Sequence, residues 1–146
     1  MAHDAYMLDL PWLELRGEMD ELQGRLGACI VAAPALADEL RRRQAELVQV
    51  GALSQRHPTA AQRQAARDAK TTLLARVRAM QAEGEPAEDF ILPDTEAGVA
   101  LHLARTGCQA VSRRAGAVGR PAELVSQYCH ALRCYLWELA RWAIYT

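Results

Sequence analysis

Proline and glycine breaks divide this chain into five segments of about 20 residues, and each segment carries apolar residues at helical spacing. The breaks fall at Pro34, at Pro58, between Gly84 and Pro93, and at Gly116. No segment shows the alternating pattern of a β-strand. Five helices joined by connectors of roughly 2 to 12 residues pack most simply as an antiparallel bundle. The sequence therefore predicts an all-α fold, a five-helix antiparallel bundle.

The breaks also set the expected helix boundaries. We predict helices from Pro11 to about Ala33, from Leu36 to Gln55, from Thr59 to about Ala82, from Asp94 or Thr95 to about Ala115, and from Pro121 to the C-terminus. Asp9 and Thr59 are placed to cap the first and third helices. Gly116 is expected to stop the fourth helix. The Arg41–Arg43 run in the second helix is expected to face solvent, as such charge runs usually do.

Composition excludes several classes of protein. Hydrophobic residues make up 51% of the chain and charged residues 24%, and the net charge of −1 gives no reason to expect nucleic acid or an anionic membrane as a partner. No apolar run approaches the roughly 18 residues of a membrane span. The first residues lack the pattern of a secretion signal. We expect one cytoplasmic domain over residues 1–146, with residues 1–10 as a flexible lead-in.

The cysteines and histidines raise the question of a metal site. The four cysteines lie in apolar helical segments: Cys29, Cys108, Cys129 and Cys134. No C-x-x-C, H-x-x-E or E-x-x-H pair occurs among them and the nearby His102 and His130, and Cys129 and Cys134 are five residues apart, a poor spacing for one helix face. We therefore expect reduced, packed thiols and no metal.

The fourth helix carries a polar stripe beside its apolar face. The apolar residues are Leu101, Ala104, Cys108 and Val111, and the polar ones are His102, Arg105, Gln109, Ser112 and Arg113. A half-buried Arg105 requires a carboxylate, and Asp20 on the first helix is the best candidate for a bidentate bridge. The alternative is that both side chains are exposed and unrelated.

Aromatic residues on the last helix leave two interpretations open. They fit either the wall of a flat cofactor pocket or, as is more common, the packing of a core or subunit interface. The residues are Tyr128, Tyr135, Trp137, Trp142 and Tyr145.

Two runs resemble a known family. Phe90-Ile91-Leu92-Pro93, followed by LHLART at residues 101–106, is similar to the F-I-L-P and L-H-x-A-R-T signature of the propanediol-utilisation type of ATP:cob(I)alamin adenosyltransferase. Residues 13–23, 47–54 and 128–141 resemble further segments of that family. The resemblance implies a trimer of five-helix bundles, with ATP and a corrinoid at the subunit boundaries. It also implies transfer of the 5′-deoxyadenosyl group to cob(I)alamin and a structural bridge between Asp20 and Arg105.

The chain departs from the family where that resemblance implies chemistry. The family opens with a segment that wraps the triphosphate, and this sequence begins about where that segment ends. The family's R-R-A-E run falls on residues 109–112, QAVS, and its Asn and Arg in the last helix fall on His130 and Ala131. A triphosphate is hard to bind without an arginine cluster or a nest of backbone amides. ATP and Mg²⁺ are therefore not expected as cofactors, whereas cobalamin remains possible.

Three hypotheses about function follow. The first is a divergent relative, a pseudoenzyme for adenosyl transfer, that keeps an intersubunit pocket for a corrinoid or another small molecule. The second is an active adenosyltransferase that binds ATP through other residues, and the third is a structural trimer whose cleft is filled by side chains. The first predicts a pocket lined by Glu14, Phe90, His102, Gln109, Arg113, His130 and Trp137. Whether the chain is an enzyme is left open; if it is, a transferase or a repurposed activity is expected.

Overall fold

The computed structural model describes residues 10–55, 57–83 and 93–145. The five helices in this part of the chain are α1 (Leu10–Ala32), α2 (Ala37–Gly51), α3 (Ala60–Glu83), α4 (Glu96–Val118) and α5 (Glu123–Tyr145). Short 3-10 turns at Pro34–Leu36, Ala52–Ser54 and Arg120–Ala122 precede or follow them. The described residues contain no strand, so the all-α prediction is confirmed.

The helices form a closed ring around one core. In order around the ring they are α1, α2, α3, α5 and α4, and α2 also touches α5 across it. Side-chain contacts give the directions: Arg16 at the start of α1 donates to the backbone oxygen of Ser54, just after α2 (3.3 Å). Glu14 pairs with Arg114, near the end of α4 (2.8 Å). Helix α1 is therefore antiparallel to both neighbours, as a bundle with short connections requires.

Apolar residues at spacings of three and four build the core. In α1 the buried residues are Leu15, Met19, Leu22, Leu26 and Cys29. Full burial of a leucine side chain contributes about 2 kcal/mol of transfer free energy. Helical stripes of this kind, one from each segment, account for the ring without any metal or disulfide.

Side-chain caps begin two of the helices. The backbone N–H of Gln62 donates to Thr59 Oγ1 (3.0 Å), and the N–H of Thr59 donates back to Gln62 Oε1 (2.9 Å). This reciprocal pair satisfies two amides that the helix leaves open, and it confirms the predicted cap of α3. Thr95 Oγ1 accepts from the N–H of Gly98 (2.9 Å) and caps α4. The predicted cap Asp9 lies outside the described residues.

Two predicted helix ends were wrong. Helix α2 stops at Gly51, four residues before Gln55, where the chain tightens into a 3-10 turn and Ser54 Oγ donates to the backbone oxygen of Gly51 (2.7 Å). Helix α4 continues through Gly116 because the turn around it still packs a core residue, Ala115, which is 1% exposed. The helix ends at Gly119, whose φ of +97° is reached without strain only by glycine.

Alanine substitutions at the two glycines should change stability in opposite directions. Gly119→Ala forces an L side chain into a left-handed conformation and should cost about 1–3 kcal/mol. Gly116→Ala adds a methyl group that meets no atom within 4 Å inside a helix, so it should stabilise by up to about 1 kcal/mol. Urea unfolding of both variants measures the difference. If Gly116→Ala were the more damaging change, the end of α4 would lie at Gly116.

Candidate functional site

A groove of about 290 Å³ lies between α4, α5 and the end of α3. Its wall is formed by Gln81, Arg105, Thr106, Gln109, Arg133, Cys134, Trp137 and Glu138. Arg105 and Gln109 are four residues apart, as are Arg133 and Trp137, so each pair projects from one face of its helix. Two facing stripes on α4 and α5 therefore build the groove.

Arginine and tryptophan side chains meet across the groove. The Arg105 guanidinium carbon lies 4.8 Å from the centroid of the Trp137 ring, in a cation–π arrangement. Both side chains are half-buried. Burial, together with the nearby positive charge of Arg133, lowers the pKa of Arg105 from its ordinary value. Two cations therefore lie close together beside a flat aromatic surface.

The carboxylate that lines the groove is already paired. Arg141 Nη1 donates to Glu138 Oε2 at 2.9 Å, and both residues are buried. Within the described ranges no ion pair joins Arg105 or Arg133 to any carboxylate. Gln81 and Gln109 supply neutral amides to the same wall. The groove therefore offers a positive potential, two amides and an indole ring to a ligand.

The structure brings together only part of the predicted pocket. Gln109 and Trp137 lie in the groove. His102 is half-buried on α4 outside it, and Arg113 and His130 are exposed elsewhere on α4 and α5. The predicted pocket lies between subunits, so its inclusion of these three residues stays a prediction.

Glu14, Phe90 and the predicted salt bridge stand apart from the groove. Glu14 is engaged by Arg114 on the α1–α4 side of the ring, and Phe90 lies outside the described residues. Asp20 is exposed on α1, while Arg105 turns toward Trp137 on α5. Among residues of the described ranges no ion pair joins Asp20 to Arg105, so their bridge stays a prediction that requires a second copy of the chain.

The predicted pocket did not include six of the eight groove residues. The omitted residues are Gln81, Arg105, Thr106, Arg133, Cys134 and Glu138, of which Arg105 was predicted for the salt bridge instead. The signal for three of them was present. Positions 133 and 134 lie four and three residues before Trp137, and position 138 lies four residues after 134, so helical spacing links them. Gln81 had no such signal, since the packing of the end of α3 against α5 is a tertiary feature.

A second cluster of charged groups is buried on the opposite side of α5. Arg43, predicted to face solvent, is only 3% exposed, so that prediction was wrong. The spacing of Leu40, Arg43 and Leu47 explains the error, because three- and four-residue steps place Arg43 on the buried face of α2. Arg43 Nη2 donates to Glu46 Oε2 (3.1 Å), and the Tyr128 hydroxyl donates to Glu46 Oε1 (3.0 Å).

The cluster continues toward α3 through Glu39. Arg76 Nε donates to Glu39 Oε1 (3.0 Å), and the Tyr135 hydroxyl donates to Glu39 Oε2 (2.6 Å). The Arg43 guanidinium carbon lies 4.8 Å from the centroid of the Tyr135 ring. Arg43 Nε is 3.0 Å from Glu46 Oε1 but is not aligned for a hydrogen bond, so this contact is an ion pair only. Helices α2, α3 and α5 are thereby tied by one polar network.

Burial perturbs the titration of this network. It raises the pKa of Glu46 despite the Arg43 charge. It also raises the pKa of Tyr128, and the Glu46 carboxylate adds to that shift. Burial acts in the same direction on Glu39, but the hydrogen bonds from Arg76 and Tyr135 outweigh it and lower the pKa. Perturbed groups often mark active sites. None of these residues lines the groove; the network joins α2, α3 and α5.

The buried thiols are poor metal ligands or nucleophiles. Burial raises the pKa of Cys29 and of Cys129 to about 12, and it raises the pKa of Cys108 well above its ordinary value. Metal binding and nucleophilic attack both require the thiolate. In the described part of the chain no three His, Cys, Asp or Glu side chains cluster as metal ligands would.

No helix among the described residues combines the length and apolar character needed to cross a membrane.

A family model described as Cobalamin adenosyltransferase matches residues 8–143 of the chain. The match runs from before α1 to the last turn of α5 and includes every residue of the groove. Neither curated proteins nor solved structures give a match.

Removing Arg43 should strongly destabilise the fold. Arg43→Ala leaves the buried carboxylate of Glu46 without its cation, and breaking a buried pair in this way costs about 3–5 kcal/mol. Arg42→Ala is the matched control: Arg42 is the exposed neighbour, and its loss should change stability by no more than about 0.5 kcal/mol. Urea unfolding compares the two. Equal costs would contradict the burial of Arg43.

The Glu39 contact should make stability depend on pH. The pKa of Glu39 in the folded chain is below its ordinary value of 4.5, so the ionised carboxylate stabilises the fold above that value. This contribution is lost as the pH falls through the lower, folded-state pKa. In urea unfolding, Glu39→Gln should therefore cost more at pH 7 than at pH 3. Asp38→Asn, at a side chain that is 93% exposed, should show no such difference. A pH-independent cost of Glu39→Gln would refute the assignment.

Proposed function

Because the chain belongs to the cobalamin adenosyltransferase family, we propose that its groove is one wall of a corrinoid-binding site that a second copy of the chain completes. We further propose that the protein has lost ATP-dependent adenosyl transfer and acts on the corrinoid as a carrier, a partner or an enzyme of altered chemistry. The observation that carries the proposal is the half-buried Trp137 ring, fixed under Arg105 in an open groove.

The groove wall suits the chemistry of a corrinoid. A corrin ring is broad and flat, and its edge carries amide side chains. Trp137 offers a flat apolar surface, and the amides of Gln81 and Gln109 are available to pair with amides on the ligand. Small-molecule sites commonly combine an apolar wall with a few placed polar groups in this way.

The size of the groove supports a site shared between copies. Pockets that enclose drug-sized ligands measure about 300–1,000 Å³, and a corrinoid is larger than such a ligand. A groove of about 290 Å³ can therefore hold only part of it. Val99 and Leu103, on the same helix as Thr106 of the groove, are 41% and 42% exposed. They supply apolar surface for contact between subunits, and we propose a homotrimer in which Asp20 of one copy pairs with Arg105 of another.

The positions of the arginines support the loss of ATP-dependent transfer. A triphosphate needs several positioned cations. Arg16 is engaged by the backbone oxygen of Ser54 and Arg114 by Glu14. Gln109 is neutral, and Val111 points into the core. In the described ranges only Arg105 and Arg133 remain in the groove without a carboxylate, fewer than the several positioned cations that a triphosphate needs.

Two titrations of the purified chain test this proposal. Cob(II)alamin followed by visible absorbance should show binding and the band of a four-coordinate form, and Mg·ATP followed by calorimetry should show no heat of binding. Trp137→Ala should weaken corrinoid binding about tenfold or more, because large aromatic anchors dominate such contacts. Trp12→Ala, on α1 and outside the groove, is the matched control and should bind like the parent chain.

Each outcome separates the three hypotheses. Binding of Mg·ATP, with adenosylcobalamin formed under reduction, would refute the loss of activity and identify an active adenosyltransferase. Absence of a binding signal in both titrations would reject the corrinoid site and favour a structural module. Corrinoid binding that Trp137→Ala leaves unchanged would place the site away from this groove.

A further inference from the structure

Two arginines from different helices line the groove. Arg105 comes from α4 and Arg133 from α5, and both line the same cavity. In the described ranges neither is joined to a carboxylate. Arginine has five donors in a fixed fork and stays charged under all ordinary conditions. Two such forks on one small surface are a costly arrangement unless an anion offsets their repulsion.

Among the described residues that line the groove, none supplies that anion. Glu138 lines the groove, but its Oε2 accepts from Arg141 Nη1 at 2.9 Å, so its charge is offset elsewhere. Gln81 and Gln109 are neutral. The Trp137 ring stacks on the Arg105 guanidinium, and both side chains line the groove. Burial and, after it, the positive charge of Arg133 lower the pKa of Arg105.

We propose that Arg133, together with Arg105, binds one oxyanion of the ligand, and that the groove therefore selects an anionic corrinoid over a neutral one of the same shape. The oxyanion is a carboxylate at the edge of the corrin ring or the phosphate of a corrinoid tail, since a guanidinium pairs with both. This inference rests on the proposed corrinoid site and adds the charge of the substrate and the residue that reads it.

Assembly does not remove the charge that the inference requires. When Asp20 of a second copy pairs with Arg105, two positive charges meet one negative charge. One positive charge remains in the groove, and Arg133 is the arginine left to carry it. Arg133 is half-buried, so its attraction for an anion is screened less than that of a surface arginine. Arg133 is thus the specificity-determining residue, and Arg105 assists it.

Three corrinoids that differ in charge test the inference: cobinamide, which has neutral side chains, a cobinamide monocarboxylic acid, and cobinamide phosphate. Absorbance titrations of the parent chain should show tighter binding of at least one anionic form than of cobinamide. A charge-assisted pair is worth about a 10-fold to 100-fold difference in Kd. Preference for the acid identifies a ring-edge carboxylate, and preference for the phosphate identifies the tail.

Arg133→Gln should abolish the preference, because it removes the charge that pairs with the anion; the ratio of the Kd for cobinamide to the Kd for the anionic corrinoid should fall to about one. Arg42→Gln removes the same charge from α2, which contributes nothing to the groove, and should keep the preference. Equal affinities for all three corrinoids in the parent chain, or a preference that survives Arg133→Gln, would overturn the inference while leaving the corrinoid site intact.

A second readout separates failure of the corrinoid site from failure of the anion site. If no corrinoid binds, inorganic pyrophosphate is titrated against ¹⁵N-labelled protein, and the Nε–H signals of the arginines are followed. A saturable shift of the Arg133 signal that disappears in Arg133→Gln upholds the oxyanion site for another ligand. Absence of such a shift overturns it.

Discussion

The fold depends on a buried arginine. Arg43 lies among the carboxylates of Glu39 and Glu46 on its own helix and against the Tyr135 ring of α5. Each carboxylate in turn accepts a hydrogen bond from a tyrosine hydroxyl of α5. Tyr128 donates to Glu46, and Tyr135 donates to Glu39. The charges are buried only because they satisfy one another, and this condition fixes the rotation of α5 against α2. A purely apolar contact would define that rotation less sharply.

The opposite side of the ring is built differently. Helices α1 and α4 meet through aliphatic and small residues, and at Gly107 a Cβ atom would lie 3.2 Å from Leu22 Cδ1. Polar ties on this side, such as Glu14 with Arg114, are near the surface and contribute little to stability. Helix α5 therefore receives its orientation from α2 and α3, and it presents the face with Arg133 and Trp137 to α4. The groove lies between α4, which packs on α1 through aliphatic and small residues, and α5, which is joined to α2 and α3 by the polar network.

The sequence predicted those features that depend on interactions between residues close together in the chain. Apolar spacing gave five helices, and the Thr59 cap followed from its position before an apolar repeat. The prediction failed at Arg43, where a charge run was read as a solvated face although its helical position lay in line with buried leucines. It also failed at Gly116, because packing of the last turn overrode the cost of a helical glycine. The groove required tertiary information, since its walls come from separate segments, and the sequence had assigned only Gln109 and Trp137 of its residues to a pocket.

Helix α5 carries the polar network on one face and borders the groove with another, and this division affects how such a protein can change during evolution. Tyr135 and Trp137 are two residues apart, yet one is locked in the polar network and the other borders the groove. Drift at the network side is tightly constrained, because each member leaves a buried charge behind when it is lost. Substitution of Arg133 or Trp137 on the groove side is less constrained, because both side chains are half-buried and, in the described ranges, Arg133 has no carboxylate partner. A lineage can therefore exchange one ligand for another on this scaffold while the bundle that carries it stays the same.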